Sequence, residues 1–401
     1  MAVTADKVPT RRFGRTEIQM PVFSCGGMRY QQSWKDCAPE EIEADRQRTL
    51  ADAIAQSLDY GINHIETARG YGTSEWQLGR VLPNYPREQL IVQTKIGPKD
   101  SADEFLEVFE TSMQNLQLEY VDLLGVHGIN TDALLEKTVR PDGMWTAIEE
   151  LQRTQRIRRV GFSTHGPTNV IVSAIETGLF DYVNVHWYYV NPFTWPAIEA
   201  ARCQDMGVFI ISPNDKGGRL YEPSEKMTTL CAPLTPMQFN DQYCLRHPEV
   251  HTLSLGVAQA SDFAEHVEGV EHVAQHPEWL AQAEERVWAA LLETHGPEWM
   301  NLWHRGLPDW EDVPGHVNVF EILRLWTYAT ALDLTAWAKM RYNLLGQGDH
   351  WFPGQNAVDF NEKALDGLLK DHPFRQRIPA VLREAHAAFF EAPVERESRG
   401  G

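Results

Sequence analysis

The run Val121-Asp122-Leu123-Leu124-Gly125-Val126-His127, the amphipathic segment Asp142–Gln155 and the run Val160-Gly161-Phe162-Ser163 follow one another along the chain. The two flanking runs are short and almost continuously apolar, as strands covered on both faces must be. Between them Trp145, Ile148 and Leu151 recur at spacing three, the pattern of a helix that buries one face. Strand, helix and strand in this order read as a parallel crossover unit.

The alternation extends in both directions. Val22–Cys25, His64–Thr67, Leu90–Ile96, Tyr182–Trp187, Val208–Ser212 and Thr252–Val257 are runs of the same kind, making eight. Helical patterns separate them: Arg46–Tyr60 before Gly61, Asp103–Leu118, Thr168–Thr177 before Gly178, and Pro196–Asp205 before Gly207. Ser74 opens another helix and Ser261 is expected to cap the last. Eight repeats over about 250 residues predict an α/β fold, a (β/α)8 TIM barrel, over residues 12–269. A doubly wound sheet would carry GxGxxG after its first strand, and Cys25-Gly26-Gly27-Met28 lacks that spacing.

Beyond Glu268 strand signals nearly vanish. His276–His295 and Val319–Leu345 read as long helices around a loop at Gly306–Gly315, and Asn361–Lys370 and Arg375–Phe390 as two more. Residues 270–392 are therefore expected to form a helical extension packed on the barrel, with 393–401 a flexible tail. In the loop Gly346–Ala357, His350 and Trp351 are candidates to fold over the barrel mouth.

Among the 401 residues, 36 basic and 56 acidic side chains give a net charge of −20. Such a chain disfavours nucleic acid and anionic lipid as partners. The basic group Arg153, Arg156, Arg158 and Arg159 reads as solvated charge at a helix end. No apolar run is long enough to span a membrane, and the polar N-terminus lacks a secretory h-region. The five cysteines are dispersed and never spaced CxxC, which argues against a disulfide framework and for a reducing, cytoplasmic setting. HExxH is absent too, so no metal site is expected. GxSxG is missing, which leaves serine hydrolysis by that elbow unsupported. No feature sets an oligomeric state.

Catalytic groups of such barrels project from the C-terminal ends of strands. Glu66, Tyr71, Lys95 and His127 stand at that rim on adjacent strands or just beyond. A lysine beside a tyrosine favours the phenolate and is expected to lower the tyrosine pKa from about 10. A carboxylate keeps the lysine charged, and a histidine can hydrogen-bond a substrate oxygen. The tyrosine can then protonate an alkoxide forming at a carbonyl, with the hydride supplied by a cofactor.

The block Asp59-Tyr60-Gly61-Ile62-Asn63-His64-Ile65-Glu66-Thr67-Ala68-Arg69-Gly70-Tyr71-Gly72-Thr73-Ser74-Glu75-Trp76-Gln77-Leu78-Gly79-Arg80 resembles the signature of the aldo-keto reductases. Phe13–Thr16, Gln93–Lys95, Val121–His127 and Arg159–Ser163 resemble further family segments in the right order, so the likeness covers roughly residues 12–268. It implies a (β/α)8 barrel that uses NADPH, or less often NADH, to reduce a small aldehyde or ketone. By position Tyr71 would be the general acid, Lys95 its tuning cation, Glu66 the lysine's partner and His127 the carbonyl-orienting residue.

Cofactor contacts follow from the same likeness. Ser163, with Thr164 or Asn184, would hold the carboxamide, and Trp187 or Tyr188 would stack on the nicotinamide. Gly217, Gly218 and Arg219 resemble the pyrophosphate segment; Gly256, Gln259 and His266 resemble the adenosine segment. The family normally has aspartate where Glu66 stands. The added methylene moves the carboxylate by about 1.5 Å, and pairing with Lys95 is still expected. The eighth-strand segment lacks the usual cation for a 2′-phosphate, for which Arg219, Lys216 or Lys226 are substitutes. A related branch carries a ferredoxin-like tail, but no cysteine lies beyond Cys244, so no iron–sulfur cluster is expected. Two alternatives stay open: a nucleotide-binding sensor with little or no turnover, and a lyase or isomerase using Lys95 as a Schiff base.

Overall fold

A computed structural model describes residues 8–348, 353–358 and 360–391. Among the described residues ten strands form: β1 (Thr10–Arg12), β2 (Gln19–Pro21), β3 (Phe23–Gly26), β4 (His64–Glu66), β5 (Ile91–Ile96), β6 (Val121–His127), β7 (Ile157–Ser163), β8 (Tyr182–Val185), β9 (Gly207–Ile210) and β10 (Thr252–Leu255). Strands β3 to β10 close into an eight-stranded barrel in chain order, β10 pairing in parallel with both β3 and β9. All eight expected runs are barrel strands.

The antiparallel hairpin β1–β2 lies at the barrel floor. Its Phe13 is fully buried with Ile91, Leu123, Tyr182 and Phe209. Above this apolar plug the interior turns polar. Ser24 Oγ bridges His64 Nδ1 at 2.6 Å and Thr252 Oγ1 at 2.8 Å. Gln93 and Asn184 lie fully buried there. Alternation along the strands then carries Glu66, Lys95, His127 and Ser163 to the top of the barrel.

Ten helices accompany the strands: α1 (Ala44–Asp59), α2 (Ser74–Leu78), α3 (Ala102–Leu116), α4 (Asp132–Val139), α5 (Met144–Arg153), α6 (Thr168–Glu176), α7 (Trp195–Cys203), α8 (Glu225–Cys231), α9 (Pro236–Leu245) and α10 (Asp262–Gln275). Ser261 does not cap α10 with its side chain. Asp262 instead accepts from the backbone N–H groups of Ala258 (2.8 Å) and Gln259 (3.3 Å). α10 runs unbroken through residues 269 and 270 and ends at Gln275. Three of the four arginines of the basic group are paired: Arg153 with Glu150, Arg156 with Glu110, Arg158 with Asp122.

The extension comprises α11 (Pro277–His295), α12 (Pro297–Leu302), α13 (Val319–Leu332), α14 (Thr335–Tyr342), α15 (Glu362–Leu368) and α16 (Ile378–Phe389). The single helix expected over Val319–Leu345 is two. Asp333 adopts a left-handed conformation (φ 55°) and ends α13, as aspartate tolerates better than most residues. Two buried bonds tie these helices to the barrel's C-terminal rim. Arg324 Nη1 donates to Val190 O and Trp337 Nε1 to Lys216 O, both at 2.8 Å. No helix among the described residues is long and apolar enough to cross a membrane. His350, Trp351 and the tail 393–401 lie outside the described residues.

Candidate active site

The loop after β4 is built to present Tyr71. Arg69 N donates to Lys95 O (2.9 Å), Tyr71 N to Ala68 O (3.0 Å) and Thr73 N to Ser33 O (3.0 Å). Gly72 has φ +52°, and a Cβ there would stand 2.0 Å from Ser33 O. Only glycine lets the two loops meet so closely. The contact brings Trp34 edge-on to Tyr71, ring centroids 6.3 Å apart.

Lys95 lies 1% exposed at the end of β5 and is fully engaged. Its Nζ pairs with Glu66 Oε1, donates to Thr67 O at 2.9 Å, and stands 3.1 Å from the Tyr71 hydroxyl. The longer Glu66 side chain therefore does reach the lysine, and its other oxygen accepts from Ser254 Oγ at 3.3 Å. His127 meets Tyr71 edge-to-face with centroids 5.7 Å apart. The phenol, ammonium and imidazole groups converge as expected.

The electrostatics correct one expectation. The Tyr71 hydroxyl is pushed up to about 12. Burial is the largest cause; Lys95 pulls the value down and Glu66 pushes it up. Desolvation of the phenolate thus outweighs the lysine's attraction, and the hydroxyl keeps its proton. For Lys95 burial opposes the charge, but Glu66 and Tyr71 together hold its pKa above the ordinary lysine value.

A cavity opens over these groups, and Ser163 and Gly256 line it with Glu66, Tyr71, Lys95 and His127. The other expected contacts lie elsewhere. Thr164 Oγ1 is spent on Ile129 O (2.7 Å). Asn184 sits inside the barrel, in register with Ser163, with neither amide atom hydrogen-bonded among the described residues. Trp187 points away from the barrel axis, one residue out of phase with Asn184 and His186, and stacks on Tyr243 at 5.1 Å; it is not over the site. Tyr188 bonds His186 Nδ1 (3.0 Å) in a second cavity.

Gly217, Gly218 and Arg219 follow Lys216 just beyond the cavity lining, and Arg219 pairs with Glu222. Gln259 is exposed. His266 is not an open adenosine contact: it is 2% exposed, held by Asp241 and packed on Phe23. Lys226 is exposed on α8, away from the lining.

Several lining residues went unread in the sequence: Arg29, Trp34, Asn214, Asp215 and Ser254. Arg29 and Ser254 follow from the strand-end rule once it is applied to β3 and β10. Arg29 Nη1 donates to Gly256 O at 3.1 Å, which puts a cation beside the eighth-strand segment. Trp34 and Asn214 sit on loops, where no pattern marks them.

Residues 23–212 match the aldo/keto reductase family. An uncharacterized oxidoreductase of Caenorhabditis elegans is 27% identical over 202 residues, 49% of this chain and 60% of that protein. An aldo-keto reductase of Mycolicibacterium smegmatis is 33% identical over 135 residues, 33% of this chain and 47% of the relative. The chain thus spans about half the length of these curated relatives. An L-galactose dehydrogenase of Arabidopsis thaliana aligns at 23% identity over 72% of this chain and 95% of its own. Among solved structures, the holo aldo-keto reductase of Bacillus halodurans superposes with a TM-score of 0.57 at 19% identity, covering 70% of this chain and 96% of the other. One from Klebsiella pneumoniae in complex with NADPH gives 0.55 at 20%, covering 69% and 94%. The closed parallel barrel agrees with this match: residues 23–212 are similar to the aldo/keto reductase family.

Proposed function

We propose that the protein is an NAD(P)H-dependent oxidoreductase that reduces a small aldehyde or ketone to an alcohol. The observation that carries this reading is the Tyr71 hydroxyl 3.1 Å from Lys95 Nζ, with Glu66 on the lysine and His127 against the phenol ring. A protonated phenol backed by a fixed cation is suited to deliver a proton to an oxygen that is gaining negative charge.

The lining suits a dinucleotide. Arg29 supplies a cation for phosphate; Lys216 lines the cavity too, but burial holds its pKa well below the ordinary lysine value. Asn214, whose Nδ2 lies 3.3 Å from His266 Nε2, keeps a buried Oδ1 without a partner among the described residues, an acceptor ready for an amide or amino group. Ser163 at the end of β7 can orient a carboxamide. When bound, the cofactor supplies hydride to the carbonyl carbon. Tyr71 donates its proton to the carbonyl oxygen, Lys95 stabilises the resulting phenolate, Glu66 fixes Lys95, and His127 orients the oxygen. NADPH is the expected form, with NADH the alternative. The relatives' names support the reaction class.

Oxidation of NADPH by a panel of aldehydes and ketones, followed at 340 nm, tests the reading. Turnover with at least one carbonyl is expected. Tight NADPH binding without oxidation by any carbonyl favours the sensor alternative instead.

A further inference from the structure

A groove of about 550 Å³ lies on the flank of the barrel, where the loop after β8 meets α9, α11 and α13. That is the size of a small-molecule site. No described residue lines both this groove and the active-site cavity. One wall is a single helix face: Ala281, Glu284, Glu285 and Trp288 stand three and four residues apart along α11. The facing wall carries Tyr189, Tyr243 and Tyr328. Trp288 is 40% exposed, against 7% for Tyr189, 8% for Tyr243 and 3% for Tyr328. An open indole thus faces three buried phenols.

What the groove can offer a ligand depends on what its groups already hold. The tyrosine rings are covered. Trp187 stacks on Tyr243 with centroids 5.1 Å apart, and the Arg246 guanidinium lies over the same ring at 4.6 Å. Tyr189 meets Tyr243 and Tyr328 edge-to-face at 5.3 and 6.5 Å. Both oxygens of Glu284 are held by Arg246. The hydroxyls are unused. The Tyr189 oxygen is buried without a hydrogen-bond partner, and those of Tyr243 and Tyr328 have none among the described residues. Burial, the largest cause, raises the pKa of all three phenols, and the oxygens of Tyr328, Tyr243 and Glu284 raise that of Tyr189 further. The three hydroxyls therefore stand within electrostatic reach of one another and keep their protons at neutral pH.

That inventory separates the ligand classes. An anion would meet Glu284 and Glu285. A cation would find the tyrosine faces covered and Glu284 already neutralised. An apolar ligand would seal three hydroxyls from water without partners, at a cost for each. A sugar fits every part. Its hydroxyls donate and accept as phenols do, the exposed Glu285 accepts one more hydroxyl proton, and the C–H face of a pyranose covers the indole of Trp288.

We propose that this groove binds a saccharide, with a pyranose ring seated on Trp288 and its hydroxyls on Tyr189, Tyr243 and Tyr328. The site is separate from the Tyr71 centre and does not rest on the reductase reading.

The probes are methyl β-glucopyranoside, trehalose and sucrose, which have no free carbonyl and so cannot be reduced. Saturation-transfer NMR and calorimetry on the full-length protein should show at least one of them binding, equally well with NADPH present and in Tyr71→Phe. Trp288→Ala, a change at an exposed side chain, should abolish the binding. Tyr328→Phe removes one hydroxyl and should weaken it about five- to tenfold, the usual worth of a hydrogen bond. A wild-type protein that binds none of the three sugars overturns the proposal and needs no variant to fold. So does sugar binding that both variants leave unchanged, and so does choline binding in place of the sugars, which assigns the groove to a cation. Sugar binding with no carbonyl reduced retains the groove and removes the reductase. Carbonyl reduction without sugar binding removes the groove proposal alone.

Discussion

The Nζ of Lys95 stands 3.1 Å from the Tyr71 hydroxyl while Glu66 holds the same ammonium group. The phenol therefore keeps its proton in a place where its conjugate base would be stabilised. Tyr71→Phe removes the donor and little else. Turnover should fall by about 10²–10⁴-fold, the usual contribution of a positioned acid, while NADPH affinity by fluorescence titration stays within twofold. A variant with wild-type kcat would remove Tyr71 from the mechanism.

Glu66 has a separable effect on the same group. It pushes the Tyr71 pKa up, against the pull of Lys95. Glu66→Gln removes the push but also the carboxylate that helps to keep the buried Lys95 charged, so the ammonium group that backs the phenol is lost at lower pH. Wild-type reduction should be flat in pH through about 9, because a donor with a pKa of about 12 stays protonated there. In Glu66→Gln the alkaline limb of kcat should move to lower pH. The pH–rate profiles of the two proteins decide this, and coincident limbs count against electrostatic coupling.

What the sequence reveals and what it hides divide along the strands. Glu66, Lys95 and His127 sit on β4, β5 and β6, where position along the chain determines position in space. They are legible for that reason, and so is the barrel. Trp187 departs from the expectation because Asn184 and His186 take the inward positions, so the next residue faces out and stacks on Tyr243. Trp34, Asn214 and the second cavity come from loops and from the extension, whose placement depends on contacts distant in sequence, such as Trp337 to Lys216. The break at Asp333 is hidden because the apolar period continues across it.

Gly72 links backbone shape to catalysis. Its φ of +52° and the 2.0 Å approach of a Cβ to Ser33 O leave no room for a side chain. Gly72→Ala should cost about 1–3 kcal/mol through overpacking and backbone strain, visible as a lower Tm. Because the same loop carries Tyr71, kcat should fall as well, with NADPH affinity much less affected. Loss of stability with kcat intact would mean that the loop relaxes without displacing the phenol.

The ion pair that anchors the extension predicts an acid-sensitive stability. Burial tends to raise the Glu321 pKa, but Arg324 outweighs it and holds the carboxyl below its ordinary value of 4.5. A carboxyl depressed in the folded state contributes stability above its unfolded pKa and loses it as pH falls through the folded one. Glu321→Gln leaves Arg324 buried without its carboxylate, which costs about 3–5 kcal/mol near neutral pH. As pH falls below 4.5 the carboxyl protonates first in the unfolded chain and only at lower pH in the folded protein, where it comes to resemble the amide, so the gap between the two proteins should narrow progressively. Denaturant unfolding of both at pH 7 and pH 4 measures that gap; a difference that does not shrink in acid means that the pair is not what couples extension stability to pH.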